Sequence, residues 1–463
     1  MANKSMVAPL VAATAALAIA ACGNGDNADE TSPSSARSRA AGVSVAGTRC
    51  GTYTGRGCAP EADRVDLAPP SFSDPTRITN PLFPISRLHS ALLLGHVDGK
   101  PFRTETTLLP GARTVEWNGE QVRTLTSQYV AYLDRRIDEV ALDRYAQADD
   151  GSVWYFGEDV FDYRNGTVAI TEGTWLAGRE GPAAMIMPAA PRVGDVFRTE
   201  NIPGVVFEEV EVKSTGRTVR GPRGRLDGAM VGQELHPDGT REDKVFAPGY
   251  GEFRTAGGGD LEALALAVPT DALPGPVPRE LASLFTGAIG VLESARVRDR
   301  EATTATLRSL EGEWRALRAA PQPSMVAANM TAALRRLSRA VQAHRSAAVA
   351  QAAIDVAQTT LDLELRHLRP AEIDAGRFYL RTQQLRVDAA GHDRGAVAGD
   401  VAVLEWIRDR ITRILNTAGR GEVDARLRAV RSASDAGNLV AAADHAARLG
   451  ARMREIAPAR PAS

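Results

Sequence analysis

The chain has 463 residues, 55 Lys and Arg against 57 Asp and Glu, and a formal net charge of −2. That length is ample for two domains, and an apolar share of 44% is that of a soluble globular protein rather than a disordered or membrane-embedded one. With charge so nearly balanced there is no basic stripe to neutralise phosphates, so nucleic acid is not an expected partner. Lysine is confined to Lys4, Lys100, Lys213 and Lys244 while arginine is abundant, a skew that reads as genome composition, so single arginines carry little weight.

Lys4 precedes an uncharged run from Val7 to Ile19, the charged n-region and short apolar h-region of a secretory signal. The run is shorter than the roughly 20 apolar residues a membrane-spanning helix wants. It ends in Ile19-Ala20-Ala21-Cys22, which looks like a lipobox: an aliphatic residue, two small ones that suit a narrow peptidase cleft, then the thiol that accepts lipid. Residues 1–21 are therefore expected to be removed and Cys22 to carry acyl chains of the palmitate kind. At about 0.8 kcal/mol per buried methylene, two or more chains hold a protein stably to a bilayer. The competing readings are an ordinary signal peptide with a chance cysteine and an uncleaved anchor. Gly23 rather than Asp at the next position resembles lipoproteins that, in a two-membrane cell, are not retained at the inner membrane. The expected location is the cell envelope, lipid-anchored on the extracytoplasmic face of the cell membrane or on the outer membrane.

Residues 22–70 form the lipidated cysteine and its tether. From Gly23 to Gly47 the chain is small and polar without apolar periodicity, which reads as a flexible coil; about 28 residues of such coil reach on the order of 30 Å. Cys50 and Cys58 flank a Gly-rich stretch, and in an oxidising compartment they are expected to pair, closing a loop that contributes about 2.5 kcal/mol in the chain-entropy model. A metal pair is the rival reading, but no nearby histidine or cysteine completes a tetrahedral site, and the CxxCH of a haem attachment is absent.

Residues 71–269 carry the punctuation of β-hairpins: Asp98-Gly99, Asn118-Gly119, Asp150-Gly151, Asn165-Gly166, Asp227-Gly228 and Asp238-Gly239. Such pairs tolerate the positive φ angles of tight turns. The intervening segments alternate or are rich in β-formers, as in Val205 to Val212 and Val153 to Phe161, and no helix-length pattern separates them. An antiparallel meander follows, curling into an open barrel or cup, with a sandwich as the second choice. Residues 270–279 are a Pro-rich linker that can continue neither a sheet nor a helix.

Residues 280–457 are rich in Ala, Leu and Arg. Helix-period segments break at Arg298-Asp299, His344-Arg345, His392-Asp393 and Gly437-Asn438, a repeat of about 45 to 48 residues that predicts four αα-hairpins. Val397, Val401, Leu404, Ile411 and Leu415 recur on one helical face. Eight helices fit two four-helix bundles or a short solenoid; the alanine-rich faces favour bundles.

Two clusters could carry chemistry. Glu364 and His367, three apart near a helix end and followed by Glu372 and Asp374, have the Glu-x-x-His spacing of di-iron bundles. Such sites need two copies and further glutamates, and one copy is present; a solvated helix end is the plainer reading. In the β domain, Trp154, Tyr155, Glu158, Asp159, Asp162 and Trp175 place aromatic rings beside carboxylates, as a sugar platform or a calcium site would. Strand alternation predicts instead that half of this set is core and half is solvated. None of the seven histidines sits in a GxSxG or HExxH setting, and Gly257-Gly258-Gly259-Asp260 lacks the lysine of a phosphate loop. No cofactor is expected.

Asn80-Pro81-Leu82-Phe83-Pro84, the Ser152 to Val160 string SVWYFGEDV, Gly173-Thr174-Trp175, Met185-Ile186-Met187-Pro188 and Val193-Gly194-Asp195 resemble motifs shared by a set of uncharacterised exported bacterial proteins. The likeness covers about residues 71 to 269 and carries no activity with it. The helical part is similar to helix-hairpin regions of other envelope lipoproteins. The expected function is a non-catalytic envelope lipoprotein whose β cup binds a ligand or partner. The alternatives are a metal-binding or metal-sensing periplasmic helical-bundle protein, and a hydrolase at the cell surface in which His89, His96 or His236 meets a nucleophile.

Overall fold

A computed structural model describes residues 57–456. Cys22, the tether as far as residue 56 and Cys50 lie outside the described residues, and with them the lipid anchor and the Cys50–Cys58 pairing, whereas the end of the expected tether is tied to the sheet through the Arg64–Val196 bridge and Ala59 N donating to Glu209 Oε1 at 2.7 Å. Cys58 itself packs against Phe207 and Leu235. No helix among the described residues is long and apolar enough to cross a membrane.

The strands are β1 (Ser90–Val97), β2 (Lys100–Trp117), β3 (Glu120–Leu133), β4 (Arg136–Gln147), β5 (Val153–Arg164), β6 (Thr167–Ile170), β7 (Trp175–Leu176), β8 (Ala184–Met187), β9 (Val196–Ile202), β10 (Val206–Gly221), β11 (Gly224–Leu235), β12 (Arg241–Ala247), β13 (Gly251–Gly257) and β14 (Asp260–Val268). They form one antiparallel sheet in the order β6-β5-β4-β3-β2-β1-β14-β13-β12-β11-β10-β9, with β7 and β8 also paired to β5. Two meanders thus run outward from the central β1–β14 pair. The ladder is open, yet the sheet curls until Trp175 on β7 donates an indole hydrogen bond to Glu200 on β9, at 2.7 Å.

Turn chemistry explains the meander. Asp98-Gly99, Asn118-Gly119 and Asn165-Gly166 hold two consecutive positive φ angles each, as two-residue hairpin turns require. Asp134-Arg135 makes the same turn at φ 46° and 71° without a glycine, so sequence gave no warning of it. Asp227-Gly228 is not a turn: it lies inside β11 beside a register shift against β10, so the glycine's positive φ accommodates a bulge. Gly258-Gly259 is the β13–β14 hairpin, not a phosphate loop.

After the linker come α1 (Arg279–Arg296), α2 (Arg300–Leu317), α3 (Ser324–Gln342), α4 (Ser346–Glu364), α5 (Pro370–Ala390), α6 (Arg394–Arg410), α7 (Thr417–Asp435) and α8 (Leu439–Ile456). Each of the four breaks read from sequence is a helix stop. Arg298, His344, His392 and Gly437 are left-handed, and the following N–H reaches back to Ser294, Ala340, Asp388 or Ala433 O at 2.9–3.0 Å. Asp299, Asp393 and Asn438 then cap the next helix by accepting from Ala302, Ala396 and Ala441 N. Helices α1–α4 close into one bundle and α5–α8 into a second, joined where α4 meets α5. The Val397 stripe is buried as expected, though Ile411 and Leu415 lie beyond the end of α6.

Both bundles sit on the outer face of the sheet. Leu92, Leu94, Leu266 and Val268 join the core of the first bundle, and Val130, Tyr132, Ile137 and Val140 that of the second. At the centre of this interface Arg410, with a fully buried side chain, donates to Glu105 Oε2 at 2.8 Å, and Arg103 clasps Asp362 at 2.7 and 2.8 Å. Arg377 lies 3.1 Å from Asp374 and 3.4 Å from Glu105. Burial alone would raise the Glu105 carboxyl, but Arg377, Arg103 and Arg410 together hold it well below the usual range.

Candidate functional site

Because side chains alternate across a strand, the residues next to those facing the helices point to the inner face. Arg103 and Glu105 face the helices, so Thr104 points inward, and it hydrogen-bonds Glu262 of β14. Following the ladder from there places Glu139 and Asp143 (β4), Glu158 (β5), Glu200 (β9), Glu208 (β10) and Glu234 (β11) on the same inner face, with Lys244 of β12 opposite Thr255, itself opposite Glu262. One end of this interior is apolar, packed with Phe83, Trp117, Tyr145, Tyr155, Phe156 and Trp175. The remainder is acidic.

Glu139, Asp143, Glu158, Glu200, Glu208, Glu234 and Glu262 are all between 0 and 4% exposed, and Lys244, at 3%, is the cation buried with them. Burying an ionised carboxylate without a counter-charge costs several kcal/mol, so such groups take up protons or cations. Desolvation raises Glu139, Glu158, Glu200 and Glu262 well above the usual carboxylate range, with neighbouring carboxylates adding to it. Asp143, which accepts from Tyr155 OH at 2.9 Å, is pushed by burial to about 7. Glu139 Oε1 and Glu262 Oε2 have no hydrogen-bond partner among the described residues.

At the β11–β12 end the cluster meets a histidine. The donor atoms of Glu208, Glu234 and His236 lie within 4.8 Å of one another, the one such convergence among the described residues. His236 Nδ1 is 3.5 Å from Glu208 Oε1, its Nε2 is 3.7 Å from both Glu234 Oε2 and Glu242 Oε2, and Lys244 Nζ is 2.5 Å from Glu234 Oε2. Burial works against a charged imidazole, but the hydrogen bonds to Glu208 and Glu242 and the charge of Glu234 push His236 up to about 11. Glu234 rises to about 7 by burial and the charge of Glu208. Glu208 is carried below its ordinary value, against burial, by His236 and Lys244. The side chains of His236 and Glu242 are 18% and 15% exposed, whereas Glu208 and Glu234 are nearly sealed, so this corner is approached from the His236 side. One imidazole and two carboxylates form a donor set suited to a borderline divalent ion such as zinc or manganese.

The protonated interior sets a pH dependence. Asp143 and Glu234 are raised from 3.8 and 4.5 to about 7, so their contribution is complete below those lower values and lost as pH rises toward 7. His236, raised from 6.5 to about 11, adds stability that fades as pH rises through that window. Glu105 has the opposite sign, its contribution being lost as pH falls below its ordinary value. The metal-free protein is therefore expected to be more stable to urea at pH 5 than at pH 8; the reverse order would contradict this reading of the interior.

The sequence-predicted sites fare unevenly. Trp154, Tyr155, Glu158 and Trp175 are all buried, so the expected half-and-half split fails. Gly157, at φ +111°, forms a bulge crossed by β7, where a Cβ would lie 2.2 Å from Trp175 O, and it turns Tyr155 and Glu158 to the same side. Enclosed rings offer no sugar platform. Asp162 faces inward, half-buried and raised to about 6 by burial, while Asp159 faces outward and pairs with Arg144. In the helices, Glu364, His367, Glu372 and Asp374 do not converge: Glu372 caps α5 against Arg369, and Asp374 belongs to the Arg377 and Arg410 network. Of the histidines read as hydrolase candidates, His96 has Nε2 3.1 Å from Gly259 O and His236 faces carboxylates. Glu200, Glu208, Glu234 and Lys244 were not read as site residues from sequence, and His236 only as a hydrolase candidate; the signal was Glu208 and Glu211 interrupting the apolar run VVFEEVEV, and a lysine in a chain that scarcely uses it. Comparison with protein-family models, with curated proteins and with solved structures finds no match to this chain.

Proposed function

We propose that this chain is a non-catalytic, lipid-anchored binding protein of the cell envelope, and that its curled sheet captures a divalent metal ion through Glu208, Glu234 and His236. In this proposal Cys22 carries the lipid, the following residues stand the fold off the bilayer, and a Cys50–Cys58 disulfide fastens the tether beside β10 and β11. The observation that carries the metal reading is the imbalance of charge: among the described residues seven enclosed carboxyl groups face one enclosed ammonium and the partly exposed His236, and three donors converge at the corner open to solvent. Enclosure also favours binding over catalysis, since carboxyl groups 0–4% exposed present little surface to an organic substrate.

Native mass spectrometry with elemental analysis of protein purified without chelator tests the reading. One zinc or manganese ion per chain is expected, absent from Glu234→Gln and His236→Gln variants of unchanged circular dichroism. A wild-type protein that stays ion-free after incubation with both metals overturns it.

A further inference from the structure

The sheet and the helices enclose a second, separate cavity of about 460 Å³, within the size range of small-molecule sites. It lies on the outer face, away from the acidic interior. Its apolar lining comes from Leu94 and Leu261 of the sheet, Met325 and Ile354 of α3 and α4, and Leu380 of α5, interleaved with the ion-paired Arg103, Glu105, Asp362 and Arg377. Its mouth is cationic. Arg135 and Arg336 both lean on Asp355, at 3.7 and 3.1 Å, and Arg135 also lies 3.8 Å from Asp134 at the rim. Both are about half exposed, at 52% and 45%, and keep donors free to turn toward a ligand.

Two further features mark a built site. Arg135 occupies the left-handed turn between β3 and β4 at φ 71°, a conformation that residues with a Cβ rarely adopt and that places this side chain at the cavity's edge. At the floor, Arg377 is 4% exposed and its Nε has no hydrogen-bond partner among the described residues, although its other nitrogens bind Asp374 and Asp362. The cleft is lined by five guanidinium groups, Arg103, Arg135, Arg336, Arg377 and Arg381, against three carboxylates, Glu105, Asp355 and Asp362, and this excess of positive charge beside apolar side chains suits an amphipathic anion.

We infer that this cleft binds a small organic anion, its carboxylate or phosphate held by Arg135 and Arg336 and its apolar body lying against Leu94, Met325, Ile354 and Leu380. Such a ligand bridges the β3–β4 hairpin and the first bundle, so occupancy couples the sheet to α3 and α4. The inference is independent of the metal reading.

The probe is 8-anilinonaphthalene-1-sulfonate, an anion with an apolar body, titrated by fluorescence into the folded protein, with octanoate and octyl phosphate as competitors. Saturable binding at one site per chain is expected, weakened about tenfold or more in Arg336→Gln and further in Arg135→Gln/Arg336→Gln, as loss of charge-assisted hydrogen bonds implies. Arg336→Lys should recover part of it. Displacement by octanoate or by octyl phosphate supports the site and names the preferred head group. Displacement by neither, no saturable binding, or unchanged affinity in the double variant overturns the inference.

Discussion

Lys244→Met should destabilise the protein by about 3–5 kcal/mol at neutral pH, the range for removing one partner of a buried ion pair, and by much less at pH 5. The ammonium is 3% exposed and 2.5 Å from Glu234 Oε2, and the charges of Glu234, Glu252 and Glu208 raise it well above its ordinary value despite burial. Methionine keeps much of the volume, so the loss reports charge rather than a cavity. At pH 5 the raised carboxyls hold their protons and need the ammonium less. Urea unfolding at the two pH values separates the contributions; a loss that is the same at both would show that Lys244 acts by packing and not by neutralising the cluster.

Arg410→Met should cost a similar amount, about 3–5 kcal/mol, for a different reason. Arg410 is the peg between α6 and the sheet. Its side chain is fully buried, 2.8 Å from Glu105 Oε2 and 3.6 Å from Asp374, and it also donates to Gln128 of β3. Without it, Glu105 keeps only Arg103 and Arg377, and its depressed carboxyl should move up, so acid unfolding should begin at a higher pH. The contrast is Arg136→Gln, which breaks a pair with Asp393 whose side chains are 54% and 45% exposed and should cost less than about 1 kcal/mol. Thermal or urea unfolding of both variants checks the difference; near-equal losses would mean that the interface is held by its apolar contacts alone.

Much of the fold could be read from the residues because its punctuation is local. A left-handed stop followed by an Asp or Asn cap is written in two adjacent residues, which is why all four helical breaks were legible, down to Arg298-Asp299 and His392-Asp393. The same holds for Asn118-Gly119 and Asn165-Gly166 at hairpins. Asp134-Arg135 escaped because the left-handed pair there contains no glycine, and Asp227-Gly228 misled because bulges and turns use the same residue types.

The candidate site was not legible, for a reason that lies in the sheet. Alternation distinguishes core from solvent only when one face of a strand is wet. Here the curl encloses one face and, at β10, the segment before β1 covers the other, Ala59 N donating to Glu209 Oε1 at 2.7 Å, so adjacent Glu208 and Glu209, at 1% and 4% exposed, are both buried on opposite sides. Glu209 meets Arg198, whereas Glu208 meets the acidic interior. Nothing in the string VVFEEVEV separates the two. Likewise His236 acquires its carboxylate neighbours from β10, β11 and β12 only once the ladder is in register.

The most direct test of the metal-binding account is calorimetric titration of the apo protein with zinc or manganese chloride at pH 8 in two buffers of different ionisation enthalpy. A histidine held charged up to about 11 must give up its proton before it can ligate an ion. The account predicts one-site binding with release of about one proton or more, abolished in His236→Gln. Binding without proton release, or binding that survives in His236→Gln, would place the ion elsewhere and contradict it.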